Sequence, residues 1–334
     1  MEDTPDAVAI VGPTATGKTR LAVAVARRLD GEVISVDSRQ AYRGMAVGTA
    51  APTEVEREGV PHHGVGILDP AERYAAGRFA DLARGWIEEI RGRGHVPVLA
   101  GGTGLFLHAL LEPVFREPRM GSERRRRLRE WLGVQSEERL RRWANRLDPN
   151  LARRLATVDR QRAARTVELA LLSGRPVTWW QAHGEPTARP LRAISYVLTL
   201  PAEEHRRRIA ARAAHLLEAG WLEEVRALLA AGHENAPAMD AVGYREIVAL
   251  ARGELEAQSA LAAIVRATWG YARRQRTWYR NRLRGATRLD ARQPTEQLAD
   301  RILADWTRRA RPAGFGCLGR DPAGGRRDGV EGGA

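Results

Sequence analysis

Apolar positions follow two rhythms along this chain. Short continuous apolar runs, the mark of strands covered on both faces, stand at 8–11, 33–37, 65–68, 96–100 and 193–200. Elsewhere apolar residues recur at intervals of three and four. Phe79, Leu82, Ala83, Trp86 and Ile90 fall on one side of a helix over 79–90. From 112 to 190 no convincing strand occurs; Arg, Leu and Ala repeat at helical spacing, with Pro113, Pro118, Pro186 and Pro190 marking the edges. Helical spacing returns from 202 to 284. The pattern predicts an α/β core over 1–111 and 191–310, the latter with its C-terminal helices. An all-helical insertion over 112–190 interrupts it, and a Gly-, Arg- and Asp-rich disordered tail over 311–334 ends it.

The first apolar run leads into Gly12-Pro13-Thr14-Ala15-Thr16-Gly17-Lys18-Thr19 and then a helical pattern. This is Gly-x-x-x-x-Gly-Lys-Ser/Thr in its strand-to-helix setting, and it predicts a P-loop NTPase-like parallel sheet. Glycines let backbone N–H groups turn toward phosphate oxygens, and the helix N-terminus adds the positive end of its dipole. Lys18 would neutralise a terminal phosphate, and the Thr19 hydroxyl can ligate Mg²⁺. The loop does not say which phosphate compound it holds. Asp69, after Val65-Gly-Ile-Leu, reads either as a metal-holding strand end or as the start of a turn before Pro70.

The 334 residues carry a formal charge of +13, which favours a polyanion, either nucleic acid or an anionic membrane surface. No apolar run reaches the ~18 residues of a membrane span. The acidic N-terminus lacks the apolar stretch of a signal peptide, and one cysteine, Cys317, fits a reducing cytoplasm. No metal-ligand spacing stands out, and nothing suggests a coiled coil, so a monomer is expected. Lys18 is the only lysine among 54 Lys and Arg residues. Codon bias accounts for the arginines; the exception marks a place that needs a compact ammonium.

The loop is followed in order by Val36-Asp-Ser-Arg-Gln-Ala-Tyr-Arg-Gly-Met45, Gly48-Thr-Ala, Pro61-His-His63, Gly101-Gly-Thr-Gly104, Gly243-Tyr-Arg245 and Arg274-Gln-Arg-Thr-Trp278. Together these span residues 8 to about 282, and the chain resembles the bacterial tRNA dimethylallyltransferases (tRNA isopentenyltransferases). The resemblance implies transfer of a dimethylallyl group from dimethylallyl diphosphate to N6 of the adenosine on the 3′ side of the anticodon, with Mg²⁺. It assigns Asp37 as general base and gives Thr103 a hydrogen bond at the same centre. It brings Arg212 to the diphosphate beside residues 12–19. Chemistry agrees, because ionising an allylic carbon loads negative charge on the departing oxygens, and a cationic loop stabilises it. Asp37 can equally cap a turn or bind Mg²⁺ through water, Thr103 can be a helix N-cap, and Arg212 can be one of many exposed arginines.

An adenine in an anticodon loop must leave its stack before N6 can react. The resemblance places Ser38, Arg39 and Gln40 with Asp37 near the target base, and Arg125, Gln161, Arg162 and Arg165 on the anticodon arm. Gly243, Tyr244 and Arg245, and the run Arg273, Arg274, Gln275, Arg276, Thr277, Trp278 and Arg280, complete the expected tRNA surface. Along 264–284 the arginines share a basic side, while Tyr271, Gln275 and Trp278 make a candidate inward stripe. The chain departs from the family at three places: Gly64-Val65-Gly66 where Leu-Ile/Val-Asp is usual, Val158 for Asn, and Phe106 for Tyr. The rivals are an adenylate isopentenyltransferase acting on AMP or ADP, a P-loop nucleotide kinase or ATPase, and a non-catalytic RNA binder. The helical insertion, the Arg-Gln-Arg-Thr-Trp run and the charge speak against the first, and the intact Lys18-Thr19 pair against the last.

Overall fold

The computed structural model describes residues 4–310 apart from 114, 119 and 155–158. The expected tail, with Cys317, and the Val158 departure lie outside the described residues. The chain opens with β1 (Ala7–Val11), α1 (Lys18–Arg28) and β2 (Gly31–Val36). Then come α2 (Glu54–Arg57), β3 (His62–His63), α3 (Ala76–Gly92), β4 (Val96–Gly101) and α4 (Gly104–Leu111). Five helices follow: α5 (Ser122–Gly133), α6 (Glu137–Leu147), α7 (Pro149–Arg154), α8 (Arg160–Ser173) and α9 (Val177–His183). The sheet resumes with β5 (Ala193–Thr199), followed by α10 (Ala202–Glu218), α11 (Trp221–Ala230), α12 (Tyr244–Ala251) and α13 (Ala257–Arg282). Strand β6 (Thr287–Asp290) and α14 (Thr295–Ala310) close it.

The six strands lie in the order β3-β2-β4-β1-β5-β6, and every pairing is parallel. Successive side chains of a strand point to opposite faces, so β1 splits its apolar run. Ala7, Ala9 and Val11 join α3, α4 and Tyr279 on one face. Val8 and Ile10 join α1 and α14 on the other. Helices α10–α13 build a third apolar cluster around Trp221, Tyr244 and Ile264, and α5, α6 and α8 enclose one of their own around Leu140 and Val167.

Two expectations about strands need correction. Residues 65–68 form no strand. Gly66 and Ile67 donate to the Gln40 and Ala41 carbonyls, and only an isolated bridge joins Leu68 to Tyr42. The edge strand is instead His62–His63, held because His63 and His95 both hydrogen-bond the buried Glu32 carboxylate, at 2.7 and 2.8 Å. Strand β6 was not foreseen. It is four residues long with only Leu289 buried, so it carries no readable period.

From β1 the chain runs to β2 on one side, and from β4 it runs to β5 on the other. The crevice between β1 and β4 is therefore the switch point of the sheet, where parallel α/β folds bind ligands at the C-terminal strand ends.

Candidate active site

Three strand ends supply the site. After β1, the phosphate loop turns through Ala15 at φ 59° and Gly17 at φ 84° to enter α1. Thr16 Oγ1 donates to the Pro13 carbonyl at 2.9 Å, and Lys18 Nζ to the same oxygen at 2.7 Å. Lys18 also senses Arg212 of α10 and Asp37, which follows β2. Burial, helped by Arg212 and opposed by Asp37, pulls its amine down to about 7. Burial likewise lowers Arg212, with Asp37 opposing. Two cations and one carboxylate thus converge on the crevice.

Asp37 Oδ1 accepts the Arg39 N–H at 2.8 Å, so one oxygen caps a turn while the carboxylate also faces Lys18 and Arg212. Thr103, after β4, sits at the N-cap position of α4, yet its side chain makes no cap. Its Oγ1 takes the Ser38 N–H at 3.0 Å, tying the β4 turn to the residue after Asp37. Tyr271 of α13 completes this corner. Burial and the Asp37 charge push its hydroxyl up to about 12, against the pull of a hydrogen bond with Thr103.

The residues of Gly101-Gly-Thr-Gly104 and Arg274-Gln-Arg-Thr-Trp278 prove to be two halves of one contact. A Cβ at Gly102 would stand 2.5 Å from Gln275 Nε2, and one at Gly104 2.4 Å from the Trp278 ring. Gln275 is buried with both amide atoms engaged, and Trp278 packs against the sheet core. Gln275 thus turns its amide inward, whereas Trp278 is only half-buried. Tyr244 is likewise fully buried; its hydroxyl donates to Glu224 at 2.7 Å, and Glu224 accepts the N–H groups of Val47 and Gly48. Gly243 and Tyr244 therefore shape the 38–50 loop, and only Arg245 of that trio is exposed.

Other expected RNA contacts are already partnered. Arg39 donates to the Pro237 carbonyl at 2.8 Å, and Gln40 accepts from Ser35 at 2.8 Å and donates to the Ala50 carbonyl at 3.1 Å. In the helical insertion Arg125 and Arg165 share the buried Glu168, at 2.6 and 3.0 Å, and both also reach Glu117. Gln161 and Arg162 are exposed at the start of α8. Arg273, Arg276 and Arg280 line a cleft with Pro13, Thr277 and Leu198, against the phosphate loop. Arg274 projects over Tyr271 at 5.8 Å. Of the family departures, Phe106 stacks on Phe79 at 4.6 Å in the core. Asp69 does not act as a strand-end ligand; its Oδ1 accepts the Ala71 N–H at 2.9 Å in a turn.

Sequence reasoning missed His205, Glu224 and Glu32. Each is an ordinary polar residue in a helix or strand, and only its distant partners mark it. His205 Nε2 donates to the Thr14 carbonyl at 2.8 Å. Among the described residues no group of three His, Cys, Asp or Glu forms a metal cage, and no helix is long and apolar enough to cross a membrane.

Known proteins share both sequence and fold with this chain. The family model for IPP transferase matches residues 40–282, and that for isopentenyl transferase matches 5–62 only. A tRNA dimethylallyltransferase of Sorangium cellulosum is 42% identical over 274 residues, covering 81% of this chain and 87% of that protein. One from Moorella thermoacetica is 41% identical over 278 residues, covering 81% and 86%. The crystal structure of the full-length tRNA isopentenylpyrophosphate transferase of Bacillus halodurans superposes with a TM-score of 0.67 at 31% identity, over 92% of this chain and 98% of that one. With the phosphate loop, Asp37 and Thr103 gathered at one switch point and a family model running through the helical insertion, the chain belongs to the IPP transferase family.

Proposed function

We propose that the protein transfers a dimethylallyl group from dimethylallyl diphosphate to N6 of the adenosine on the 3′ side of a tRNA anticodon. The observation that carries this reading is the convergence of Lys18, Arg212 and Asp37 at one crevice. Two cations serve a leaving group, and one carboxylate serves an acceptor. The diphosphate lies along the 12–19 loop, where Lys18 and Arg212 stabilise the charge that grows as the carbon–oxygen bond breaks. The adenine N6 forms the new bond to that carbon, and Asp37 takes the proton it sheds. Thr103 holds the Ser38 backbone, and so the turn that presents Asp37.

Mg²⁺ suits the donor set. The Thr19 hydroxyl makes no hydrogen bond among the described residues, and no carboxylate cage competes for the ion. A hard cation that keeps most of its shell from water and phosphate oxygens needs little more from protein. Thr19 would hold the ion beside the loop, and the ion would supply Lewis-acid stabilisation to the leaving diphosphate.

Helices α5–α9, with their own apolar cluster, are the part that we infer grips the anticodon arm; a mononucleotide acceptor needs no such module. A tRNA substrate also implies work in the cytoplasm. The test is incubation with labelled dimethylallyl diphosphate and either undermodified tRNA or AMP, with ATP turnover followed separately. Label in tRNA supports the reading; label in AMP alone, or ATP turnover without prenylation, overturns it. Asp37→Ala is expected to cut kcat by about 10²–10⁴-fold, the usual worth of a general base, while tRNA affinity stays within about threefold. Near-normal turnover in that variant removes Asp37 from the role.

A further inference from the structure

One side chain spans the crevice between the two loops that carry the chemistry. Gln275, 6% exposed on α13, accepts the Thr14 N–H through Oε1 at 2.9 Å. Through Nε2 it donates to the Gly102 carbonyl at 2.8 Å. Its amide has one orientation only, because a backbone N–H must meet oxygen and a carbonyl must meet the NH₂. Thr14 belongs to the loop expected to hold the leaving group. Gly102 precedes Thr103, which holds the backbone beside Asp37. On the far side the Thr14 carbonyl is fixed by His205, itself fully buried. Among the described residues no other side chain hydrogen-bonds both the phosphate loop and the turn after β4.

We propose that Gln275 is a positioning residue that sets the separation between the departing diphosphate and the base, with His205 anchoring the Thr14 end. The inference rests on the prenyl-transfer reading above. Strands β1 and β4 are locked by their ladder as far as Val11 and Gly101. Beyond those residues no strand pairing joins the two loops, and the ladder no longer controls their spacing. Nucleophile, carbon and leaving oxygen must stay aligned, and a misplacement of about 1 Å costs on the order of 10²-fold in rate. A carboxamide fits this place: it supplies one donor and one acceptor without adding charge beside Lys18, Arg212 and Asp37.

The proposal predicts that alignment is lost while binding survives. Wild type, Gln275→Met and Gln275→Glu are compared for kcat with dimethylallyl diphosphate and undermodified tRNA. Their affinities for inorganic pyrophosphate and for tRNA are measured separately. Gln275→Met is expected to lose about 30-fold or more in kcat, with both affinities within about threefold. Gln275→Glu keeps the side-chain volume and carries the test if the methionine variant does not fold. Its carboxylate cannot donate to Gly102, but the protonated acid can, and burial raises its pKa toward neutrality. Its kcat relative to wild type at the same pH should therefore climb at least about fivefold from pH 8 to 6, within the range set by about one pKa unit of titration.

An unchanged kcat in Gln275→Met, a parallel loss of pyrophosphate affinity, or a flat ratio for Gln275→Glu each overturns the proposal. Wild type that labels tRNA while the variants match it removes the positioning role alone. Wild type that labels no tRNA removes the prenyl-transfer reading, and this inference with it.

Discussion

At the scale of single residues, Lys18 shows how a common motif acquires particular chemistry. Its half-buried ammonium is desolvated near the Arg212 charge, so the protonated form is disfavoured until an anion arrives; Asp37 only partly offsets this. An amine at about 7 is a neutral nucleophile at pH 8 and an ammonium at pH 6. Because it is the only lysine, amine-directed acylation followed by peptide mass spectrometry reads it directly. Labelling of Lys18 should rise through a midpoint near 7 instead of the ordinary 10.5. Pyrophosphate should suppress it by supplying the missing counter-charge. A midpoint near the ordinary value would show that the loop holds the ammonium without strain.

At the scale of elements, packing between distant motifs explains residues that otherwise look like ligand contacts. Gly243 stands at φ 93° with a Cβ position 2.2 Å from the Trp221 ring, and Trp221 packs edge-on to Tyr244. Gly243→Ala should therefore cost about 3 kcal/mol, from overpacking and from the left-handed backbone together. Gly85, inside α3 with open space around it, is the contrast. Alanine there should stabilise by about 0.5–1 kcal/mol through helix propensity. Denaturant unfolding of both variants checks the pair. Equal effects would mean that the Trp221 contact does not constrain the loop.

At the scale of the whole molecule, the +13 charge is unevenly available to a polyanion. Arg126 is paired with Glu123 and Glu130, and Arg125 and Arg165 with Glu168. Arg273 and Arg280 have no carboxylate partner among the described residues and face the cleft beside the phosphate loop. Arg273→Ala and Arg280→Ala should each reduce the slope of log affinity against log salt for tRNA by about 0.7, the single-strand value per phosphate neutralised. Arg126→Ala should leave it unchanged. A common slope for all three would mean that net charge, not placement, governs binding.

The chain by itself determined what short-range pattern can determine. Continuous apolar runs marked four of the sheet strands, and the glycine loop announced a phosphate site, because strand and loop geometry depend on residues a few positions apart. Asp37 and Thr103 could be singled out as strand-end residues through the motifs around them. Only the tertiary structure decided which polar residues face inward. Gln275 stands in the candidate inward stripe of an arginine-rich stretch, but what it meets there was not readable, because its partners are 261 and 173 residues away in sequence. Tyr244 and His205 are hidden for the same reason, and the His62–His63 edge strand depends on a glutamate in β2. A buried polar group is tolerated only where distant segments deliver its hydrogen-bond partners, and no local periodicity records where those segments will meet.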